Sequence, residues 1–233
     1  MKLPILTYHA VLPLEPGQSL RGTVALDAFR TQIEWLARSG FTALDLRSTA
    51  DLLEGDRPRV GRAVALTFDD GYRCVVDHAL PVLEAFGFSA TLFVVTDAVG
   101  RSSDWYVRKG GRAFEHASWD ELEDATGRGF AVESHGVAHR RLTEIPPAEV
   151  EEELGRSRDA IARRLGRCDH FAYPFGAFSD ETARAVLRCG YRTACTTRDG
   201  FNGRAAPLSM LRRQNIGRHT RIRGFRRRTG SWW

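Results

Sequence analysis

Leu66-Thr67-Phe68-Asp69-Asp70-Gly71-Tyr72 puts two adjacent carboxylates directly behind the apolar run Ala63-Val64-Ala65-Leu66. A short apolar run closed by Asp and Gly reads as a buried strand that ends in a turn. A second segment ends the same way, with Gly129-Phe130-Ala131-Val132 leading into His135-Gly136-Val137-Ala138-His139. Both polar groups stand at the C-terminal tips of short strands, where parallel α/β folds gather their chemistry. One Asp and two His form a three-ligand set that leaves a divalent ion an open position, the pattern of catalytic rather than structural sites. The other carboxylate stays available to take a proton. Alone, Asp-Asp-Gly is an ordinary turn and His-x3-His an ordinary helix face. At the tips of two strands they point together to metal-assisted hydrolysis.

Working outward, strand and helix patterns alternate as a parallel barrel requires. Strands are expected over residues 3–8, 41–44, 60–68, 90–95, 130–133, 171–173, 191–196 and 211–216. A helix over 26–39 sets Phe29, Ile33, Leu36 and Ala37 on one face and stops at Gly40. Others run over 75–86 and 180–189, and from the capping box Ser118-Trp119-Asp120-Glu121. Pro146-Pro147 opens a long amphipathic helix to Leu165, with Val150, Leu154, Ile161 and Leu165 inward. Residues 96–116 form the longest irregular insertion.

The chain has 233 residues, 42% of them apolar, enough for one sizeable core. Its net charge of +5 comes from arginine, since Lys2 and Lys109 are the only lysines. Arginine peaks in Arg221-Ile222-Arg223-Gly224-Phe225-Arg226-Arg227-Arg228, expected to be a flexible basic tail over 221–233. The tail and its Trp232-Trp233 end are candidates for weak contact with a membrane surface; no nucleic acid partner is expected. Cys74, Cys168, Cys189 and Cys195 lack metal or redox spacing and are expected as free thiols. Neither a secretory leader nor a run long enough to cross a bilayer stands out, so the expected location is cytoplasmic.

These motifs resemble the polysaccharide deacetylase family, also called the NodB-homology domain or carbohydrate esterase family 4. Its T-F-D-D-G motif stands unchanged at Thr67 to Gly71. Its H-[ST]-x-x-H motif is present at His135 to His139, with Gly136 in place of Ser or Thr. Phe171-Ala172-Tyr173-Pro174-Phe175-Gly176 is similar to the third motif. Leu3-Pro4-Ile5-Leu6-Thr7-Tyr8-His9 and the stretch from Leu211 to Ile216 resemble the poly-N-acetylglucosamine deacetylase branch.

The resemblance implies a single-domain α/β fold, a deformed (β/α) barrel of seven or eight parallel strands, with residues 1–220 as the catalytic domain. It implies Asp70, His135 and His139 as ligands of a divalent metal, most often zinc, with nickel, cobalt or iron acceptable. Asp69 becomes the general base, and the backbone N–H of Phe175 an oxyanion donor. Removal of N-acetyl groups from N-acetylhexosamine units of a glycan or glycolipid is the implied reaction. Allantoinase-like amide hydrolysis, O-acetyl xylan hydrolysis and metal-free glycan binding stay open as alternatives.

The third-motif arginine is absent, Ala172 standing there, so Arg213 is the candidate partner of Asp69. No usual histidine acid follows either. His9, at a strand tip, is preferred to His219 as acid or substrate contact. Tyr173 and the insertion aromatics Trp105 and Tyr106 are candidate sugar contacts.

Overall fold

The structure is a computed structural model and describes residues 2–15, 17–56, 58, 61–103, 107 and 112–230. In chain order the elements begin with β1 (Ile5–Tyr8), β2 (Ala10–Leu12), β3 (Thr23–Ala25), α1 (Leu26–Arg38), β4 (Phe41–Leu44), α2 (Leu46–Glu54) and β5 (Arg62–Phe68). A π turn (Val75–Ala79) runs into α3 (Leu80–Glu84), followed by β6 (Ala90–Val94), β7 (Ser102–Ser103), β8 (Phe114–Glu115), α4 (Trp119–Gly127) and β9 (Phe130–Ser134). The last are α5 (Pro147–Leu165), β10 (His170–Ala172), α6 (Asp180–Arg188), β11 (Thr193–Cys195), β12 (Gln214–Asn215) and α7 (Ile222–Arg228).

Strand alternation divides the core into two shells. Leu6, Tyr8, Val64, Leu66, Phe68, Leu92, Val94, Phe171 and Ala194 face the helices in one buried cluster. Their neighbours Ile5, Ala65, Phe93, Ala172 and Cys195 belong to a second cluster inside the curved sheet, with Leu211. Helix α2 adds Leu46, Leu52 and Leu53 to that inner cluster.

Eight strands form one sheet in the order β11-β10-β9-β6-β5-β1-β12, with β4 also paired to β5, and every pairing within it is parallel. Beyond β11, Leu211 makes a parallel bridge to Cys195, and Gln214 pairs with Leu6 of β1. The segment from Leu211 to Asn215 therefore spans from β11 to β1 and closes a deformed (β/α) barrel.

Helix α1 buries Phe29, Ile33 and Leu36, as its spacing predicts, together with Gln32, which accepts the Tyr8 hydroxyl at 2.9 Å. Pro81 lacks an N–H, and the helix around it opens with the π turn instead of regular α geometry. Ser118 and Ser179 each cap a helix through reciprocal hydrogen bonds with Glu121 and Thr182.

Several features differ from the sequence expectation. Strands β2 and β3 pair with each other over three residues each, too short to carry a visible period. Helix α2 was not among the expected elements, although Asp45 accepts from the Ser48 N–H as its N-cap and Gly55 ends it. The insertion 96–116 carries the antiparallel pair β7/β8; Trp105 and Tyr106 lie outside the described residues. Residues 222–228 are helical rather than a flexible tail, because Phe225 is fully buried edge-on against Trp35 of α1. Arg226 lays its guanidinium over the same Trp35 ring, 5.4 Å from its centroid. All four cysteines are free. Among the described residues, no helix is long and apolar enough to cross a membrane.

Candidate active site

Asp69 and Asp70 leave the tip of β5, but their side chains do different things. Asp69 continues the inward face of β5 and meets Arg213, whose two terminal nitrogens donate to its two oxygens at 2.7 and 2.6 Å. Both side chains are almost wholly buried. Arg213 also donates to the Thr196 carbonyl at 2.9 Å and to the Thr67 hydroxyl at 3.3 Å, so the fork is held on three sides. Burial alone pushes the Asp69 carboxyl up; the charge and hydrogen bonds of Arg213, with His135 and His9 nearby, outweigh it and hold the carboxyl below its ordinary range.

Asp70 turns away from the strand. It adopts φ 75°, and the next residue, Gly71, is also left-handed. A Cβ on Gly71 would meet Val94 Cγ1 at 2.9 Å, so glycine alone fits behind the pair. Among the described residues three non-glycine residues have positive φ: Asp70, His139 and Phe175. All three lie in this site, and strained backbone of this kind persists where the surroundings hold it for function.

The turn brings Asp70 Oδ1 to 3.5 Å from His135 Nε2 and 3.4 Å from His139 Nε2. One ligand atom from each of the three residues lies within 4.8 Å of the others. His135 Nδ1 donates to the Ala172 carbonyl at 2.7 Å, so Nε2, facing Asp70, is the nitrogen a metal would take. Burial lowers this imidazole, but the Asp70 hydrogen bond and the charges of Asp69 and Asp70 hold it above its ordinary value. Burial pushes the His139 imidazole down to about 4, the neutral form a metal ligand needs. Burial raises the Asp70 carboxyl, yet the His135 hydrogen bond and the charges of His9, His139 and His135 hold it far below the usual range. A carboxylate and two imidazole nitrogens fit a divalent ion of the zinc type, whose binding would displace the proton that His135 holds.

Two side chains that the sequence reading passed over brace this triad. Glu153 of α5 is buried, and its Oε2 accepts the N–H groups of Val137 at 2.8 Å and Ala138 at 3.1 Å. The same oxygen would sit 3.2 Å from a Cβ at Gly136, which accounts for glycine inside the histidine motif. A carboxylate between Val150 and Leu154 on a buried helix face was the available signal. His116 bonds to the backbone carbonyl of Asp70 at 2.8 Å; nothing in the local sequence marks that role.

The other expected residues fall on both sides of the site boundary. His9 is half-buried, close enough for its charge to act on Asp69, Asp70 and His139. His219 is exposed beyond β12. Phe175 is 44% exposed at the mouth, its ring 4.5 Å from that of His139 and covered by the Arg141 guanidinium at 4.4 Å. Tyr173 is a correction to the expected sugar contact. Alternation after Ala172 turns it to the helix side, where it is 1% exposed, packs on Phe171 and Phe178, and donates to the Ser209 carbonyl at 2.9 Å.

A parallel barrel whose strand tips gather a carboxylate–imidazole triad beside a second, arginine-paired carboxylate is the architecture of a hydrolytic α/β enzyme. The polysaccharide deacetylase family model matches residues 56–194, and the chain belongs to that family. A Bacillus subtilis (strain 168) protein, YxkH, whose name marks it as a candidate polysaccharide deacetylase, is 27% identical over 216 residues, covering 92% of this chain and 71% of that protein. The poly-beta-1,6-N-acetyl-D-glucosamine N-deacetylase of Escherichia coli (strain K12) is 29% identical over 126 residues, which are 53% of this chain and 17% of that one. Among solved structures, the Streptococcus pyogenes deacetylase PplD in complex with acetate superposes with a TM-score of 0.84 at 24% identity, covering 98% of both chains, a likeness of fold.

Proposed function

We propose that this chain is a metal-dependent N-deacetylase acting on N-acetylhexosamine units of a polysaccharide, oligosaccharide or glycolipid. The observation that carries the reading is the convergence of Asp70, His135 and His139 within 4.8 Å, beside an Asp69 held ionised by Arg213. The names of relatives such as the Escherichia coli poly-beta-1,6-N-acetyl-D-glucosamine N-deacetylase support the N-acetylglucosamine class of substrate.

A divalent ion bound by Asp70, His135 and His139, with zinc our choice over nickel, cobalt or iron, supplies Lewis-acid polarisation and a lowered pKa for water. The chain's own residues do the rest. Asp69 takes the proton of the attacking water; each of its oxygens keeps a second lone pair beside the Arg213 bond. Arg213 fixes the carboxylate's plane. The turn carrying Phe175 borders His139, and its backbone N–H is our oxyanion donor. His9, just past the tip of β1, is our acid for the leaving amine, delivering its proton to nitrogen as the C–N bond breaks.

The test follows acetate release from N-acetylglucosamine oligomers, peptidoglycan and acetylated xylan, and ring opening of allantoin to allantoate, each with and without added zinc. Release from N-acetylglucosamine oligomers that depends on metal supports the reading. Turnover of allantoin or xylan alone replaces it with one of the alternative hydrolases.

A further inference from the structure

Asp69 points into the barrel, so a continued strand would send Asp70 towards the helices. The left-handed turn at Asp70 reverses this and aims its carboxylate at the two histidines. For a residue with a Cβ that conformation costs about 1–2 kcal/mol, and something must hold it. The Asp70 carbonyl fixes the peptide plane behind the turn, and it faces a buried imidazole. His116 Nδ1 lies 2.8 Å from that oxygen. A carbonyl only accepts, so Nδ1 carries the proton, and Nε2 accepts from the Ser103 hydroxyl at 2.8 Å.

The main chain around the ring reinforces the arrangement. His116 forms an antiparallel bridge with Tyr72, and the Ala117 N–H donates to the Gly71 carbonyl at 3.0 Å. The His116 N–H donates to the Arg101 carbonyl at 2.8 Å, and the ring packs on Tyr72 with centroids 4.9 Å apart. The imidazole is thus fixed in place, tautomer and orientation, before it meets Asp70.

We propose that His116 is a positioning residue for the metal centre: its Nδ1–H bond to the Asp70 carbonyl holds the left-handed turn that presents the Asp70 carboxylate as a ligand. This rests on the metal-site reading above. Both ring nitrogens of His116 are engaged, by the Asp70 carbonyl and the Ser103 hydroxyl, so it acts through the backbone of a ligand. Outer partners of this kind are worth about 10–100-fold in metal affinity.

The experiment measures zinc dissociation constants by chelator competition on the full chain, with thermal unfolding of each variant alongside. The wild type is titrated first; failure to bind zinc at all would overturn the metal-site reading itself. His116→Phe keeps a ring but has no donor, and should bind zinc about 10–100-fold more weakly. His116→Asn can place an amide N–H where Nδ1 stood and should recover most of that loss. The visible spectrum of the cobalt-loaded protein should change in His116→Phe and return towards wild type in His116→Asn. If His116→Phe fails to fold, Ser103→Ala takes its place; releasing Nε2 should weaken zinc binding several-fold within the same outer-partner range. Wild-type affinity in a folded His116→Phe, or in Ser103→Ala where that variant decides, overturns the proposal. Equal loss in the Phe and Asn variants also overturns it, because packing rather than the hydrogen bond would then be responsible.

Discussion

Arg213 and Asp69 form a two-pronged ion pair sealed inside the barrel, although 144 residues separate them in the chain. The guanidinium arrives from the closing segment between β11 and β1, while Ala172, on the inward face of β10, carries no charge. A small residue at 172 and a long cation at 213 share one interior. The cation comes from the segment just before β12 rather than from β10, and it pairs the carboxylate there.

Arg213→Ala leaves a buried carboxylate without its partner, which costs about 3–5 kcal/mol of stability. Asp69 has its folded-state value depressed below 3.8, so the pair contributes stability above that pH and loses it as the carboxyl protonates. With the cation gone, burial dominates and pushes the carboxyl up. The acidic limb of the pH–rate profile should therefore move to higher pH, with metal content unchanged. Arg212→Ala is the control, because Arg212 is exposed and donates to the Asp199 carbonyl. Identical profiles for the two variants would contradict the assignment.

Asp69→Asn separates base from ligand. It should retain zinc and lose about 10²–10⁴-fold in turnover. Asp70→Asn, His135→Ala and His139→Ala should each lose zinc and activity together, and zinc should no longer raise their Tm. Metal analysis and calorimetry on the four proteins decide it; a metal-free Asp69→Asn would mean the two carboxylates have exchanged roles.

The difference between what the sequence displays and what it hides is physical. Asp69, Asp70, His135 and His139 were legible because apolar runs end just before them, and strand tips in a parallel barrel converge. Arg213 was legible only as a replacement for what Ala172 lacks. Glu153 and His116 were not, since both act on backbone N–H or C=O groups, which leave no mark on residue identity. Tyr173 was misread because a motif position does not say to which side of β10 the side chain turns. Helix α2 had its cap and its terminal glycine, but its nine residues make too short a window for periodicity to stand out.

One layer beneath the site, two buried groups give the fold an opposed response to pH. Glu133 accepts the N–H groups of Asp169 and His170, both at 2.8 Å, and burial pushes its carboxyl up to about 7. His170 bonds to the Thr193 hydroxyl at 2.8 Å, and burial pushes its imidazole down to about 4. As pH falls from 7 to 4.5, the folded chain takes a proton at Glu133 that the unfolded chain does not, so this group adds stability on acidification. From 6.5 to 4, the unfolded chain protonates His170 and the folded chain does not, so this group removes stability. Urea unfolding of Glu133→Gln and His170→Gln, each compared with wild type across that range, should give difference curves of opposite slope. Each should span about 2–3 kcal/mol. Parallel curves would show that burial does not set these two protonation states.

The C-terminal helix supplies the last prediction. Phe225 is fully buried against Trp35 while the arginines around it stay at or near the surface. If that single ring docks α7, Phe225→Ala removes the aromatic contact and opens a cavity, costing about 3–5 kcal/mol. Arg223→Ala and Arg227→Ala, at exposed positions of the same helix, should stay within about 0.5 kcal/mol of wild type. Hydrogen exchange separates docking from global stability: in the wild type, the amides of Phe225 and Thr229, which donate to Arg221 and Phe225, should be protected along with those of α1. In Phe225→Ala that protection should vanish from α7 first and persist in β5. A wild-type α7 that exchanges as fast as an unfolded peptide would restore the flexible tail that its arginine content suggests.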